Sequence, residues 1–171
     1  CLRLVLFKPA LRVLAGGDAH RPDLPVLVDR SASMATRDGR LPPRYTHAVQ
    51  RLHQQQERLE ARFRPLYHHF ATSLRLAGSL DELSELAPAG PGTDATDIAA
   101  ALRGAWEDLG GGPLPGLLLL TDGLHNTGED VLRAAGSLGV PIYAVGVGAD
   151  AKDAAGRLDT TVIVFATDHG M

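Results

Sequence analysis

The chain has 171 residues, with 17 Lys and Arg against 20 Asp and Glu, for a formal net charge of −3. The basic residues are scattered, so there is no electrostatic footprint for nucleic acid, and nucleic-acid binding is not expected. Cys1 is the only cysteine, which excludes an intrachain disulfide and a cysteine metal cluster.

With 44% hydrophobic and 22% charged residues, the composition is that of an ordinary globular chain. At this length one core should remove roughly 70% of the unfolded surface from water. No run reaches the roughly 18 apolar residues of a membrane span, so no direct membrane insertion by this segment is expected. A cysteine at the first position fits the acylated start of a bacterial lipoprotein. The apolar Leu2 to Leu6 that follows is unlike a polar tether and favours a plain chain boundary.

In chain order, Leu2–Phe7 and Leu11–Leu14 are two short extended segments broken at Pro9. Pro22 and Pro25 keep the next loop out of a helix, and Val26 to Val28 is a short buried strand. Pro42-Pro43 precede a long amphipathic helix with Tyr45, Ala48, Val49, Leu52, Leu59 and Phe63 near one face. It should stop before Pro65.

Leu66–Phe70 and Ser73–Leu76 are predicted as adjacent strands. After the Pro/Gly-rich 88–92 loop, Ile98, Leu102, Ala105, Trp106 and Leu109 mark a second helix, closed by Gly110-Gly111-Gly112. Leu117–Leu120 is too short for most helices and is predicted as a central parallel strand. Thr127–Asp130 resembles a capping box before Val131, Leu132, Ala135 and Leu138, and 140–146 gives another strand. Thr161–Phe165 is a last β-prone segment: an edge strand pairing with the N-terminal segment, or the start of a following domain. Strands alternating with helices predict a three-layer α/β fold around a parallel sheet.

The chemistry centres on Asp29-x-Ser31-x-Ser33, where the first buried strand leaves the sheet. Carboxylate and hydroxyl are hard ligands suited to Mg²⁺ or Mn²⁺. Ligands of such sheets gather beyond the carboxyl ends of the strands, near the topological switch point. Asp122 follows the leucine strand, and Thr96 lies in the loop opening the second helix. Asp29, Ser31, Ser33, Thr96 and Asp122 are therefore positioned to converge on one cation.

In order, the chain carries Asp29-x-Ser31-x-Ser33-Met34, Thr96-x-x-x-x-Ala101-Leu102, Leu120-Thr121-Asp122-Gly123 and Tyr143-Ala144-Val145-Gly146-Val147-Gly148. Here it resembles the von Willebrand factor A (VWA) domain family, with its metal-ion-dependent adhesion site. The resemblance spans roughly Pro25 to Gly148. It implies a Rossmann-like three-layer sandwich over 25–149, with a lead-in segment at 1–24 and an extension at 150–171. It also implies that Asp29, Ser31, Ser33 and the threonine line a Mg²⁺ site (or Mn²⁺ or Ca²⁺), with Asp122 often acting through water. Thr96 keeps the family's distance to Ala101-Leu102 and is favoured as the threonine; Thr93, three residues earlier, is the alternative.

The implied function is a non-enzymatic, adhesion-type interaction module. It takes an Asp or Glu carboxylate from a partner protein as a further ligand of the cation. The context resembles bacterial membrane-associated members of the family, acting in the envelope or with a chaperone-like ATPase partner. An unpaired β edge would offer a self-association surface.

Several residues have simpler roles open to them. Ser31 and Ser33 can serve as turn residues, Thr96 or Asp94 as a helix N-cap, and Asp122-Gly123 as an ordinary turn. His68 and His69 lack a second ligand pair at zinc spacing and are read as structural, and Trp106 as core. His125, three residues after Asp122, is placed on an exposed loop. It is also the residue that would make the site hydrolytic, as a general base beside metal-bound water.

The competing enzyme reading is a metal-dependent hydrolase or phosphatase using the same aspartates. Ser31 stands where a haloacid-dehalogenase-like pattern needs a second Asp. Nucleotide binding has no glycine motif after any strand to support it.

Overall fold

The computed structural model describes residues 21–148 and the backbone of a strand at Val162–Phe165. The extended segments expected before residue 15, Cys1, and the 150–157 stretch lie outside the described residues.

Among the described residues, six strands form one sheet in the order β3-β2-β1-β4-β5-β6. They are β1 (Asp23–Asp29), β2 (Arg64–Phe70), β3 (Leu74–Leu76), β4 (Leu117–Thr121), β5 (Ile142–Gly146) and β6 (Val162–Phe165). The four central strands are parallel, and β3 and β6 run antiparallel at the two edges. Helices α1 (Arg44–Glu60) and α2 (Leu80–Glu85) cover one face, and α3 (Ile98–Glu107) and α4 (Val131–Leu138) the other. This is the three-layer Rossmann-like sandwich that the alternating pattern predicts.

Strand β1 is apolar almost throughout because it is covered on both faces. Alternate side chains of a strand point to opposite sides. Val26 and Val28 enter the core under α1 and α2, with Tyr45, Val49, Leu52 and Leu83. Leu27 enters the core under α3 and α4, with Ile98, Leu102 and Leu138. Strand β4 divides in the same way, Leu117 and Leu119 to the second core and Leu120 to the first. Pro25 is tolerated because pairing with β4 begins only at Val26, so at Pro25 β1 has the β2 neighbour alone.

The helix faces follow their periodicity. Tyr45, Ala48, Val49 and Leu52 are the buried residues of α1, and Leu59 and Phe63 pack at its border. Trp106 packs at the border of the second core while its indole N–H donates to the Gly112 carbonyl at 3.0 Å. His68 is buried with Nδ1 2.9 Å from the Leu66 carbonyl, which is a structural role.

Two local expectations are corrected, and the last β-prone segment is placed at a sheet edge as expected. Helix α2 has no counterpart among the predicted elements, although Ser79-x-x-Glu82 signals its start. The Ser79 hydroxyl accepts from the Glu82 N–H, and the Glu82 carboxylate accepts from the Gly78 N–H. The cap of α4 is Asp130, accepting from the Arg133 N–H at 2.8 Å, rather than Thr127. The last strand joins the sheet beside β5, with Val162–Phe165 paired to Ile142–Val145; the N-terminal segment expected as its partner lies outside the described residues.

From β1 the chain builds outward through β2 to β3, then returns by α3 to lay β4 on the other flank of β1. The switch point therefore falls between β1 and β4, whose carboxyl ends deliver Asp29 and Asp122 to the same rim.

Candidate functional site

Asp29 is the last residue of β1 and is 0% exposed. Its Oδ1 accepts from the Ser31 N–H at 2.8 Å, and its Oδ2 accepts from the Thr121 hydroxyl at 2.6 Å. Burial pushes the carboxyl above its ordinary range. The bonds from Thr121 and Ser31 pull it back, and the nearby charge of Asp122 pushes it further up. Among the described residues, the groups bonded to this carboxylate are neutral.

The chain after Asp29 turns through a short 3₁₀ segment, Ala32–Ala35, held by backbone bonds from Met34 N–H to the Ser31 carbonyl and from Thr36 N–H to the Ser33 carbonyl. The backbone closes this turn, so neither serine hydroxyl is needed as its cap. Instead the two Oγ atoms lie 3.0 Å apart, Ser31 being buried. The two hydroxyls bond each other within the turn rather than capping its backbone.

Asp122 follows β4 directly. Its Oδ1 accepts from the Leu124 N–H at 3.1 Å, closing the turn that Asp-Gly dipeptides commonly make. Its Oδ2 pairs with the Arg44 guanidinium at 3.0 Å. Arg44, the first residue of α1, also grips Asp38 through two bonds of 2.9 Å each. Neither Arg44 nor Asp38 is flagged by any local sequence pattern, since the pairing with Asp122 spans 78 positions.

The two threonines behave differently. The Thr93 hydroxyl donates to the Gly90 carbonyl at 2.7 Å and accepts from the Gly90 N–H at 3.2 Å, closing a small loop. Thr96 makes its bonds through its backbone: its N–H donates to Asn126 Oδ1 at 2.7 Å, and its carbonyl accepts from the Asn126 N–H at 3.3 Å. The N-cap of α3 is Asp97, accepting from the Ala100 N–H at 2.8 Å, and neither Thr96 nor Asp94.

These bonds stitch three loops into one rim. Ala32 N–H donates to the Thr93 carbonyl at 2.8 Å, Thr96 and Asn126 exchange two bonds, and Thr121 reaches Asp29. Gly128 lets the loop after β4 lie close against the α3 cap. Its φ is +91°, and a Cβ there would come within 2.3 Å of the Asp97 carboxylate. Asp29, Ser31, Ser33 and Asp122 thus occupy one edge, with the Thr96 loop tied to it. Thr121, Asn126, Asp38 and Arg44 are members of the rim that sequence reasoning missed. Only Thr121, next to Asp122 and ending a strand, carried a positional signal.

Both ring nitrogens of His125 are engaged. Nδ1 accepts from the Ile98 N–H at 3.3 Å, which leaves Nε2 as the protonated nitrogen, 2.9 Å from the Glu129 carbonyl. The ring is partly buried and fastens the β4 loop to the start of α3, in place of the exposed loop position expected.

Among the described residues there is no group of three or more His, Cys, Asp or Glu placed to hold a metal ion. Any cation here would depend on hydroxyl oxygens as well as carboxylates. The donor chemistry fits a hard ion: a buried carboxylate bonded to an amide and a hydroxyl, two serine hydroxyls 3.0 Å apart, and a second carboxylate across the switch point, itself paired with Arg44.

No protein-family model matches the chain, and no curated protein matches it. Solved structures do. A serine-substituted form of an aerotolerance-related membrane protein from Bacteroides fragilis superposes with a TM-score of 0.60 at 19% identity, covering 86% of this chain and 82% of that one. Proximal thread matrix protein 1 from the mussel byssus superposes with a TM-score of 0.53 at 21% identity, covering 74% of this chain and 38% of that one. At such identities the likeness establishes the fold alone, a three-layer Rossmann-like sandwich.

Proposed function

We propose that this rim binds a divalent cation, Mg²⁺ before Mn²⁺ or Ca²⁺, and that through it the chain takes hold of a carboxylate on a partner protein. The observation that carries this reading is Asp29, fully buried at the switch point, whose hydrogen-bond partners among the described residues are a backbone amide and a threonine hydroxyl, both neutral. Burying a charge without compensation is costly, and a bound cation would remove that cost.

Asp29, Ser31, Ser33 and Thr96 are the residues assigned to hold it, with Asp122 on the far side. Thr96 is preferred to Thr93 because the Thr93 hydroxyl already closes the turn to Gly90. When bound, a divalent ion supplies an open coordination position for an anionic oxygen. The protein's share is to hold its own oxygens in place. The Ser31 N–H and the Thr121 hydroxyl orient Asp29, the Ala32–Thr93 bond fixes the serine loop, and Asn126 fixes the Thr96 loop.

The function is binding rather than catalysis. His125, the general base a hydrolase would need, has its ring nitrogens committed to Ile98 and Glu129. We place the module in a larger bacterial envelope-associated protein, in keeping with the membrane protein that shares its fold. No helix among the described residues is long and apolar enough to cross a membrane.

The test is calorimetric titration of Mg²⁺ and Mn²⁺ into the native chain and Asp29→Ala. Saturable binding lost in the variant is the expected outcome, and titration with a short Asp-containing peptide should then show metal-dependent association. Identical behaviour of the two proteins would overturn the assignment.

A further inference from the structure

Arg44 already does at one carboxylate what a metal ion would do. Its guanidinium uses two edges: Nε and Nη2 take both oxygens of Asp38 at 2.9 Å each, and Nη1 takes Asp122 Oδ2 at 3.0 Å. The Asp122 side chain is only 3% exposed, so this single bond covers much of what solvent or an ion could otherwise reach. The room for the guanidinium is built into the turn just beyond β5. Gly148 has φ +139°, and a Cβ there would stand 3.1 Å from Arg44 Nε.

Resting on the cation-site reading above, we propose that Arg44 is an internal competitor for Asp122, and that the site reaches full affinity for a divalent cation when Arg44 withdraws onto Asp38. The two carboxylates hold it unequally. Asp38 offers a bidentate fork, the stronger and more directional form of guanidinium–carboxylate contact, whereas Asp122 offers one oxygen. Releasing Asp122 therefore costs one bond and leaves Arg44 anchored. Asp122 keeps its Oδ1 bond to the Leu124 N–H, so its carboxylate stays aimed while Oδ2 becomes free.

A guanidinium and a divalent ion sharing one carboxylate repel each other across a few ångströms in a partly buried setting, where screening is weak. Occupancy by one therefore disfavours the other. In this scheme Asp38 acts as the parking place of the competitor, a role outside the cation's own ligand set.

The experiment compares Mg²⁺ affinity by calorimetry in the native chain, Arg44→Ala, Arg44→Lys, Asp38→Asn and the Arg44→Ala/Asp38→Asn pair, with Asp29→Ala as control. Circular dichroism melts establish that each variant is folded. Arg44→Ala should bind about tenfold more tightly, equivalent to about 1.4 kcal/mol. Arg44→Lys, which keeps the charge but not the fork, should fall between. Asp38→Asn should bind more weakly, and that loss should shrink once Arg44 is gone, because the two act through one contact.

If the native chain binds and Asp29→Ala does not, yet Arg44→Ala binds equally or more weakly, Arg44 positions Asp122 and the competition is refuted while the cation site stands. Binding by none of the proteins at millimolar metal removes both. Binding by Arg44→Ala where the native chain shows none would be the strongest form of the expected result.

Discussion

The two strands that meet at the switch point deliver the same residue type, Asp29 as the last residue of β1 and Asp122 directly after β4, and treat it in opposite ways. At the end of β1, Asp29 is sealed from solvent and, among the described residues, bonds to neutral donors, an amide and a hydroxyl. At the end of β4, Asp122 is nearly as covered in its side chain, yet meets a guanidinium. Equal burial with unequal compensation shows that burial alone does not define a cation site. What matters is whether the protein has supplied the counter-charge itself. Among the described residues, Asp29 is compensated by neutral donors and Asp122 by a guanidinium that can be exchanged.

The sharpest way to break this contrast is to remove each carboxylate in turn. Asp29→Ala should weaken Mg²⁺ binding by at least the roughly 10–100-fold that losing a supporting partner of a metal site costs. Asp122→Asn should cost less, because Arg44 already offsets part of that charge. Equal losses by calorimetry would mean that the two ends are equivalent.

Thr121→Val probes the neutral compensation of Asp29. It strips the hydroxyl from Asp29 Oδ2 and the acceptor from the Gly123 N–H. Leaving buried groups unpaired costs about 1–3 kcal/mol, and each kcal/mol lowers the melting midpoint by about 2–4 °C in a chain of this size.

A pH series sharpens the same contrast. The folded Asp29 carboxyl titrates above its ordinary 3.8 because burial disfavours the anion. The fold therefore favours the protonated form, and metal-free stability declines as pH rises from 3.8 through the folded value. Asp29→Asn should remove that decline and melt higher than the native chain near neutral pH without metal, even though it cannot bind metal.

His47, His68 and His69 act in the opposite direction. Burial, the largest cause in each, lowers them below 6.5. The unfolded chain then takes up protons first, and stability falls as pH drops below 6.5 toward the folded values. Urea midpoints across pH 4–8 separate the two slopes, since only the first is sensitive to position 29.

The smallest effect divides the threonines. Thr93→Ala should cost about 1 kcal/mol of stability by opening the Gly90 turn and leave Mg²⁺ affinity unchanged. Thr96→Ala should lower the affinity several-fold instead. The reverse pattern in paired melts and titrations would move the ligand assignment to Thr93.

Much of the architecture was legible because it is written locally. A four-leucine run between glycines can only be covered on both faces, and spacings of three and four assign the α1 and α3 faces without knowledge of their neighbours. The Asp29-x-Ser31-x-Ser33 cluster was equally local, since one turn carries all three residues. Helix α2 was missed because six residues are too few to establish a period, although its cap was present. The Thr127 cap was misplaced because two candidate caps lay within one turn, and Asp130 is the one adjoining the helix.

By itself, then, the sequence determined the alternation of strands and helices, the two-sided burial of β1 and β4, and the clustering of hard oxygen donors after β1. Period and motif are properties of neighbouring residues, and covalent connection enforces them. Tertiary structure decided how the polar atoms were allocated. It paired Arg44 with Asp122, gave the Thr93 hydroxyl to Gly90, tied His125 to α3, and laid β6 against β5. Each is set by which groups stand about 3 Å apart in space, a distance that position along the chain does not encode.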